Sequence, residues 1–256
     1  MPDLPTSPLA LTALTHAAVA VGAAIALRID AAPILGVHPA AKPLKFAVSI
    51  ALLLATLALV IPRLGTSASM RAGLGWAFSI TMIVEMVVIV GQALRGTTSH
   101  FNTRTPLDSA GWGAMFVAIF AATVAFAITA WIAIARPLAM PILVATAVRV
   151  GLGLIIVAAV TGFAMGGRMR HTVGGADGGL GAPLTNWSRE HGDLRIPHFF
   201  SLHGLQALPL VALVLPRLTA RPELQWLGLG LAMFAWVGVC LVTLVAAFGG
   251  RAVRLW

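Results

Sequence analysis

Seven long stretches run almost without a charge along this chain, near 8–28, 44–62, 72–94, 110–135, 137–165, 197–216 and 224–249. A run of about 20 apolar residues crosses a ~30 Å hydrocarbon core as a helix. No water reaches the backbone there, so each helix must close its own hydrogen bonds. Nothing alternates apolar and polar with period two, which excludes a barrel. The pattern predicts an all-α integral membrane protein with seven transmembrane helices in a single membrane domain over 1–256. Residues 1–10 carry no Lys or Arg, so the first span reads as the insertion signal and not as a cleaved leader.

The runs resemble one another in order. Pro8-Leu9-Ala10 opens the first span and Val19 to Gly22 follows; Pro137-Leu138-Ala139 opens the fifth and Val148 to Gly151 follows at the same spacing. Pro43, Phe46 and Pro62-Arg63-Leu64 match Pro197, Phe200 and Pro216-Arg217-Leu218 at a constant offset of 154. Gly73-Leu74-Gly75 matches Gly228-Leu229-Gly230. These matches predict a 3+1+3 parallel internal repeat: repeat A over 8–96, a linker helix at 110–135, and repeat B over 137–250 with a long loop at 166–196. Two three-helix units share one orientation only if a single helix joins them, which implies a pseudo-twofold axis along the membrane normal. The same plan occurs in the SWEET sugar transporters. None of that family's motifs is present, so the likeness is one of architecture alone. The polar residues are not repeated. Glu85 aligns with Cys240, His203 with Ser49, His16 with Ala145 and Arg149 with Ala20, so any site is asymmetric.

Composition sharpens this picture. Hydrophobic residues make up 59% of the chain and charged residues 10%, against ~25% charged in soluble domains. The net charge of +9 does not point to nucleic acid, because the basic residues gather at span ends, where they anchor to lipid headgroups. The loop-rich side carries eleven Lys and Arg against five on the other. The positive-inside rule then puts the N-terminus outside and the loop-rich face in the cytoplasm, as in a bacterial inner membrane. Cys240 is the only cysteine, so the chain has no internal disulfide and no thiolate metal cage. Lys42 and Lys45 are the only lysines, and neither is in the seventh span to carry a retinal. Eight carboxylates in all, mostly in loops, are too few inside the spans for a di-iron site.

Six of the seven histidines, His38, His100, His171, His191, His198 and His203, fall on the loop-rich side. Imidazole is the commonest metal ligand and binds haem iron axially. His198 and His203 are five residues apart, about 140° around a helix, so they do not share one pocket. His203 lies further into its span and is expected to point into the bundle, with His198 at the rim. The expected cofactor site pairs His203 with His100, with His198, His38 and His171 as further candidates, around haem b or a transition metal. The loop 166–196, rich in glycine and holding Asp177, Trp187 and Asp193, is long enough to cover it.

Inside the spans, Thr81, Glu85 and Gln92 form a stripe on the third helix. Glu85 is the only carboxylate inside the expected spans. A carboxyl group facing lipid is costly, so Glu85 and Gln92, with Arg149 and Gln206, are expected to face the bundle interior. Glu85 and Arg149 are candidates for an ion pair. His16 is a proton-relay candidate, although a hydrogen-bonded core imidazole explains it better. Pro141 and Pro209 are expected to kink their helices. Three functions remain: redox chemistry on a haem or metal, carriage of a small solute with Glu85, Arg149 and His16 near the midplane, or an enzyme acting on an anionic lipid or quinone at Lys42, Lys45 and Arg95 beside His203.

Overall fold

The computed structural model describes residues 7–178, 181–182 and 185–253. Residues 1–6, Gly179 of the glycine-rich loop and Arg254 of the basic face lie outside them. Seven helices follow in order: α1 (Pro8–Ala26), α2 (Ala41–Val60, continued by a 3-10 turn at Ile61–Arg63), α3 (Ala68–Leu94), α4 (Pro106–Ala135), α5 (Ile142–Arg168), α6 (Arg195–Leu218) and α7 (Pro222–Phe248). Each is long and apolar enough to span a membrane. The protein is a polytopic integral membrane protein.

The helix ends follow local chemistry. Ser7 and Ser67 cap α1 and α3 by accepting the N–H of Ala10 and Met70, each at 3.2 Å. α4 starts at Pro106, ahead of the apolar run, because Thr105 caps it and a proline suits the first turn. Asp108 therefore belongs to α4 and is 3% exposed, so Glu85 is not the only buried carboxylate within these helices. Pro141 is the N-cap of α5 and not a kink; Pro209 and Pro216 lie inside α6. A proline at a cap removes an N–H that had no partner within the helix.

By its contacts the chain divides into two compact units, residues 1–137 and 138–256. In the first, α1 packs mainly on α2, and α3 packs on α4, α2 and α1. Phe78 of α3 meets Phe126 of α4 with ring centroids 4.6 Å apart. The fourth helix thus packs on α3.

In the second unit α5 and α6 pack most closely. Gly151 makes this possible, since a Cβ there would lie 2.6 Å from the Leu205 Cα. Small residues at such crossings let two backbones approach. Leu154, Leu208, Ala212, Leu229 and Cys240 fill the core around them. Between α5 and α6 the chain forms a short antiparallel hairpin, β1 (Thr172–Val173) with β2 (Gly192–Asp193). Its second strand lies on the end of α7, where a Cβ on Gly192 would come within 2.2 Å of the Ala247 carbonyl oxygen.

One detail matches at the offset of 154. Arg63 donates to the Leu59 carbonyl and Arg217 to the Leu213 carbonyl, both at 2.6 Å. Other matched positions differ. Gly22, the counterpart of Gly151, has open space at its Cβ.

Candidate functional site

In the first unit the polar groups line α3. Glu85 is 2% exposed, and its Oε1 has no hydrogen-bond partner among the described residues. Ser79, on the same helix, is also buried with an unpartnered hydroxyl. Phe78, Met82, Met86 and Ile89 wall this stripe with apolar side chains. His16 of α1 reaches the same level. Its Nδ1 lies 2.7 Å from the Thr12 carbonyl oxygen and its Nε2 3.3 Å from that of Met82. Carbonyl oxygens only accept, and a neutral imidazole has one N–H. The neutral ring therefore fills one of the two bonds and the imidazolium fills both.

At the loop end of α2, Lys42 Nζ donates to His100 Nδ1 at 3.1 Å and sits 5.6 Å from the Phe46 ring centroid. Phe46, Phe101 and Trp112 surround the His100 ring at 5.5–5.9 Å. Lys45 is half-buried in the same turn of α2. His38 is bound into its own loop: its Nε2 meets the Ile29 carbonyl oxygen at 2.9 Å, and its Nδ1 accepts the Ala40 N–H at 3.1 Å. Both ring nitrogens thus serve the backbone.

Two expected site residues belong to a structural knot. Asp108 accepts from Gln92 Nε2 at 2.9 Å, from Arg95 Nη1 at 2.7 Å and from the Thr105 hydroxyl at 2.8 Å. Arg95 also donates to Gln92 Oε1 at 2.6 Å. This knot ties the end of α3 to the start of α4. It gives Arg95 a carboxylate of its own and separates Gln92 in role from Glu85. Asp108 was not expected from the apolar pattern. The run Thr105-Pro106-Leu107-Asp108 announces it as a helix start.

The second unit holds the other expected residues. His198 does not stand free at the rim. Its Nδ1 lies 2.8 Å from the Ala158 carbonyl oxygen and 3.2 Å from the Thr161 hydroxyl, both on α5. The Gly162 position leaves room for the ring, because a Cβ there would lie 3.3 Å from it. The His203 ring lies against Phe199, tilted 50° with centroids 4.3 Å apart, and Gln206 lies beside it on α6. The Gln206 amide is buried with no bond of normal geometry at either its oxygen or its nitrogen. Arg149 is half-buried on α5. Trp187 packs on Phe199 and Phe200 at the start of α6.

At the foot of the hairpin, Asp193 accepts from Arg195 Nη2 at 2.6 Å and Nε at 2.9 Å, and from the backbone N–H of Ser188 at 2.8 Å. Burial pushes this carboxyl up. The Arg195 guanidinium, the Ser188 N–H and His171 outweigh that and hold it below the usual carboxylate range. His171 Nδ1 lies 3.3 Å from Asp177 and 3.8 Å from Asp193.

Three groupings result: Lys42 with His100; His203 with Gln206; and His171 with Asp177 and Asp193. His100 and Glu85 belong to the first unit, His203 and Arg149 to the second. Among the described residues no three of His, Cys, Asp and Glu converge as a metal site. No family model, curated protein or solved structure matches the chain.

Proposed function

We propose that this protein carries a small solute across the membrane, coupled to a proton that Glu85 takes up and releases. The observation that carries the reading is the Glu85 carboxyl, buried mid-helix with an oxygen that has no hydrogen-bond partner among the described residues. An ionisable side chain is expensive inside a membrane and marks an ion or substrate path unless structure uses all of it. The neighbouring groups suit that role. His16 bonds the α3 backbone at Met82, one turn from Glu85, with a ring that gains a bond on protonation. At the loop end of α2, Lys42 donates to His100. The matched segments, and the paired Arg63 and Arg217 contacts, support a duplicated 3+1+3 scaffold of the kind carriers use. On this reading the loop-rich, basic end is the cytoplasmic one.

The test is charge movement in proteoliposomes on a solid-supported membrane. Small carboxylates, small amines and neutral polyols are applied in turn at equal pH. One class is expected to give a transient current that Glu85→Gln abolishes while insertion and melting are retained. The reading fails if no class moves charge, or if Glu85→Gln leaves the current intact. An absorption spectrum of the same preparation checks the competing redox reading. A sharp band lost in His203→Ala would favour haem at the histidine face instead.

A further inference from the structure

We propose that the cleft where the start of α5, the end of α6 and the start of α7 meet binds one anionic phospholipid of the surrounding bilayer, with an acyl chain in the cleft and the phosphate at Arg217 and Arg221. The proposal does not depend on the transport reading. The cleft lies within the second unit, at the end away from the hairpin, and has a volume of about 300 Å³. An apolar cavity of ~150 Å³ already holds a benzene ring, so this one has room for a stretch of hydrocarbon chain.

The sequence accounts for the cleft. Pro141, Pro216 and Pro222 line it, one from each helix end. A proline ring is short and fixed to its own backbone, so none of the three can swing inward to close the space. Ala212 offers the α6 wall only a methyl group. Leu215, the large side chain one turn on, lies over Gly228 instead, where a Cβ would come 2.8 Å from its Cδ2. The Gln225 amide donates to the Thr219 carbonyl at 2.9 Å. That bond braces the turn between α6 and α7 and leaves mainly apolar groups to meet a ligand.

Three observations choose the occupant. The residues at the mouth, Ile142, Leu213 and Trp226, are 65%, 48% and 41% exposed, and all three belong to membrane-spanning helices. The mouth therefore opens on hydrocarbon, and a chain enters it sideways. The cleft is confined to the outermost turns of its helices, at the depth where headgroups meet acyl chains and where an indole such as that of Trp226 is favoured. The charge at the rim is positive. Arg217 Nη1 donates to the carbonyl of Leu213, in the cleft wall, at 2.6 Å, which holds the guanidinium at the mouth. Arg221 is exposed immediately before Pro222. Glu223 is the one carboxylate within 138–144 and 212–226, so two positive charges stand against one negative, and an anionic headgroup is preferred to a zwitterionic one.

Quenching of Trp226 by brominated lipid tests this on the full protein in vesicles. The vesicles are phosphocholine lipid carrying a rising fraction of lipid with brominated acyl chains and either a phosphoglycerol or a phosphocholine headgroup. The Trp226 signal is the emission that Trp226→Phe removes. It is expected to be half quenched at a roughly fivefold lower fraction of the anionic lipid, the preference that one net positive charge near the surface confers. Arg221→Gln should bring that ratio close to one, and Val144→Phe, which fills the cleft from α5, should do the same. Should Val144→Phe fail to insert, Leu213→Phe fills it from an exposed position. Trp131, 71% exposed on α4, serves as the reference for lipid at large and should show no preference. Equal quenching of Trp226 by the two headgroups overturns the proposal. So does a preference that survives Arg221→Gln or the filled cleft, or one that Trp131 shares.

Discussion

Asp193 and Glu85 are buried to nearly the same degree, at 1% and 2% exposure. Their surroundings differ completely. Asp193 lies at a helix start, where backbone N–H groups are available, with Arg195 two residues on to meet both oxygens. Glu85 lies in the middle of α3, where every N–H is used by the helix itself, and one of its oxygens meets nothing. A buried carboxylate with a full set of donors holds structure together. One left unsatisfied lowers stability and is retained for chemistry. Asp108 belongs with Asp193, since Arg95, Gln92 and Thr105 all donate to it.

Asp193→Asn should give the largest effect. It leaves the Arg195 guanidinium against an amide in a buried setting and removes an anion beside His171. Breaking one partner of a buried pair costs about 3–5 kcal/mol; Arg195 is 28% exposed, so about 2–4 kcal/mol is expected. Thermal melting of the purified protein measures this. A loss no larger than that of a surface substitution would place Asp193 with Glu85 and break the contrast.

Asp108→Asn should come next. Arg95 is 40% exposed, so water screens the ion pair and its share is ~0–1 kcal/mol. The buried hydrogen bonds from Gln92 and Thr105 add to it, for a total of about 1–2 kcal/mol. Thr105→Ala, which removes the cap alone, should cost about 1 kcal/mol. Hydrogen exchange should rise in the first turn of α4 in both variants. Loss confined to the end of α7 would contradict the knot.

The pH dependence of melting sharpens the contrast further. The Asp193 pKa is depressed by folding, so its stabilisation is present above the unfolded value near 3.9. It is lost as pH falls through the lower, folded value. The wild type should therefore lose stability steeply below about pH 4, while Asp193→Asn should show a shallower slope in that window. Parallel curves would mean that Asp193 holds no such advantage.

Much of this fold is legible in the sequence, because a membrane helix is specified by one run of apolar residues and needs no partner to be recognised. The seven spans follow directly. The start of α4 is not marked by hydropathy; Thr105 and Pro106 mark it, and reading the apolar run alone puts Asp108 in a loop. The histidines stand out in the sequence as a set and are illegible as pairs. Lys42 and His100 are 58 residues apart, and His198 meets α5 across 40 residues; only packing brings such groups together. Glu85 stands out early because a lone carboxylate in an apolar run is rare. That its oxygen goes unsatisfied depends on where α1 and α2 put His16 and Lys42, which no spacing within α3 encodes.

Glu85→Gln should have the smallest effect on stability and a large one on activity. Glutamine keeps the shape of the side chain and removes the charge. At Asp193 that exchange discards strong charge-assisted bonds. At Glu85 the Oε1 has no bond to lose, and the desolvation cost of a carboxylate in an apolar wall disappears. The melting temperature should stay unchanged or rise, corresponding to a change within about 1 kcal/mol. Glu85→Ala should cost more than Glu85→Gln, because it also opens a cavity among Met82, Met86 and Ile89. If Glu85→Gln instead destabilises the protein as much as Asp193→Asn does, the carboxylate is a structural group and loses its place as the proton carrier. If it melts like the wild type and solute-driven current disappears, the two buried carboxylates differ in function as they do in their hydrogen bonds.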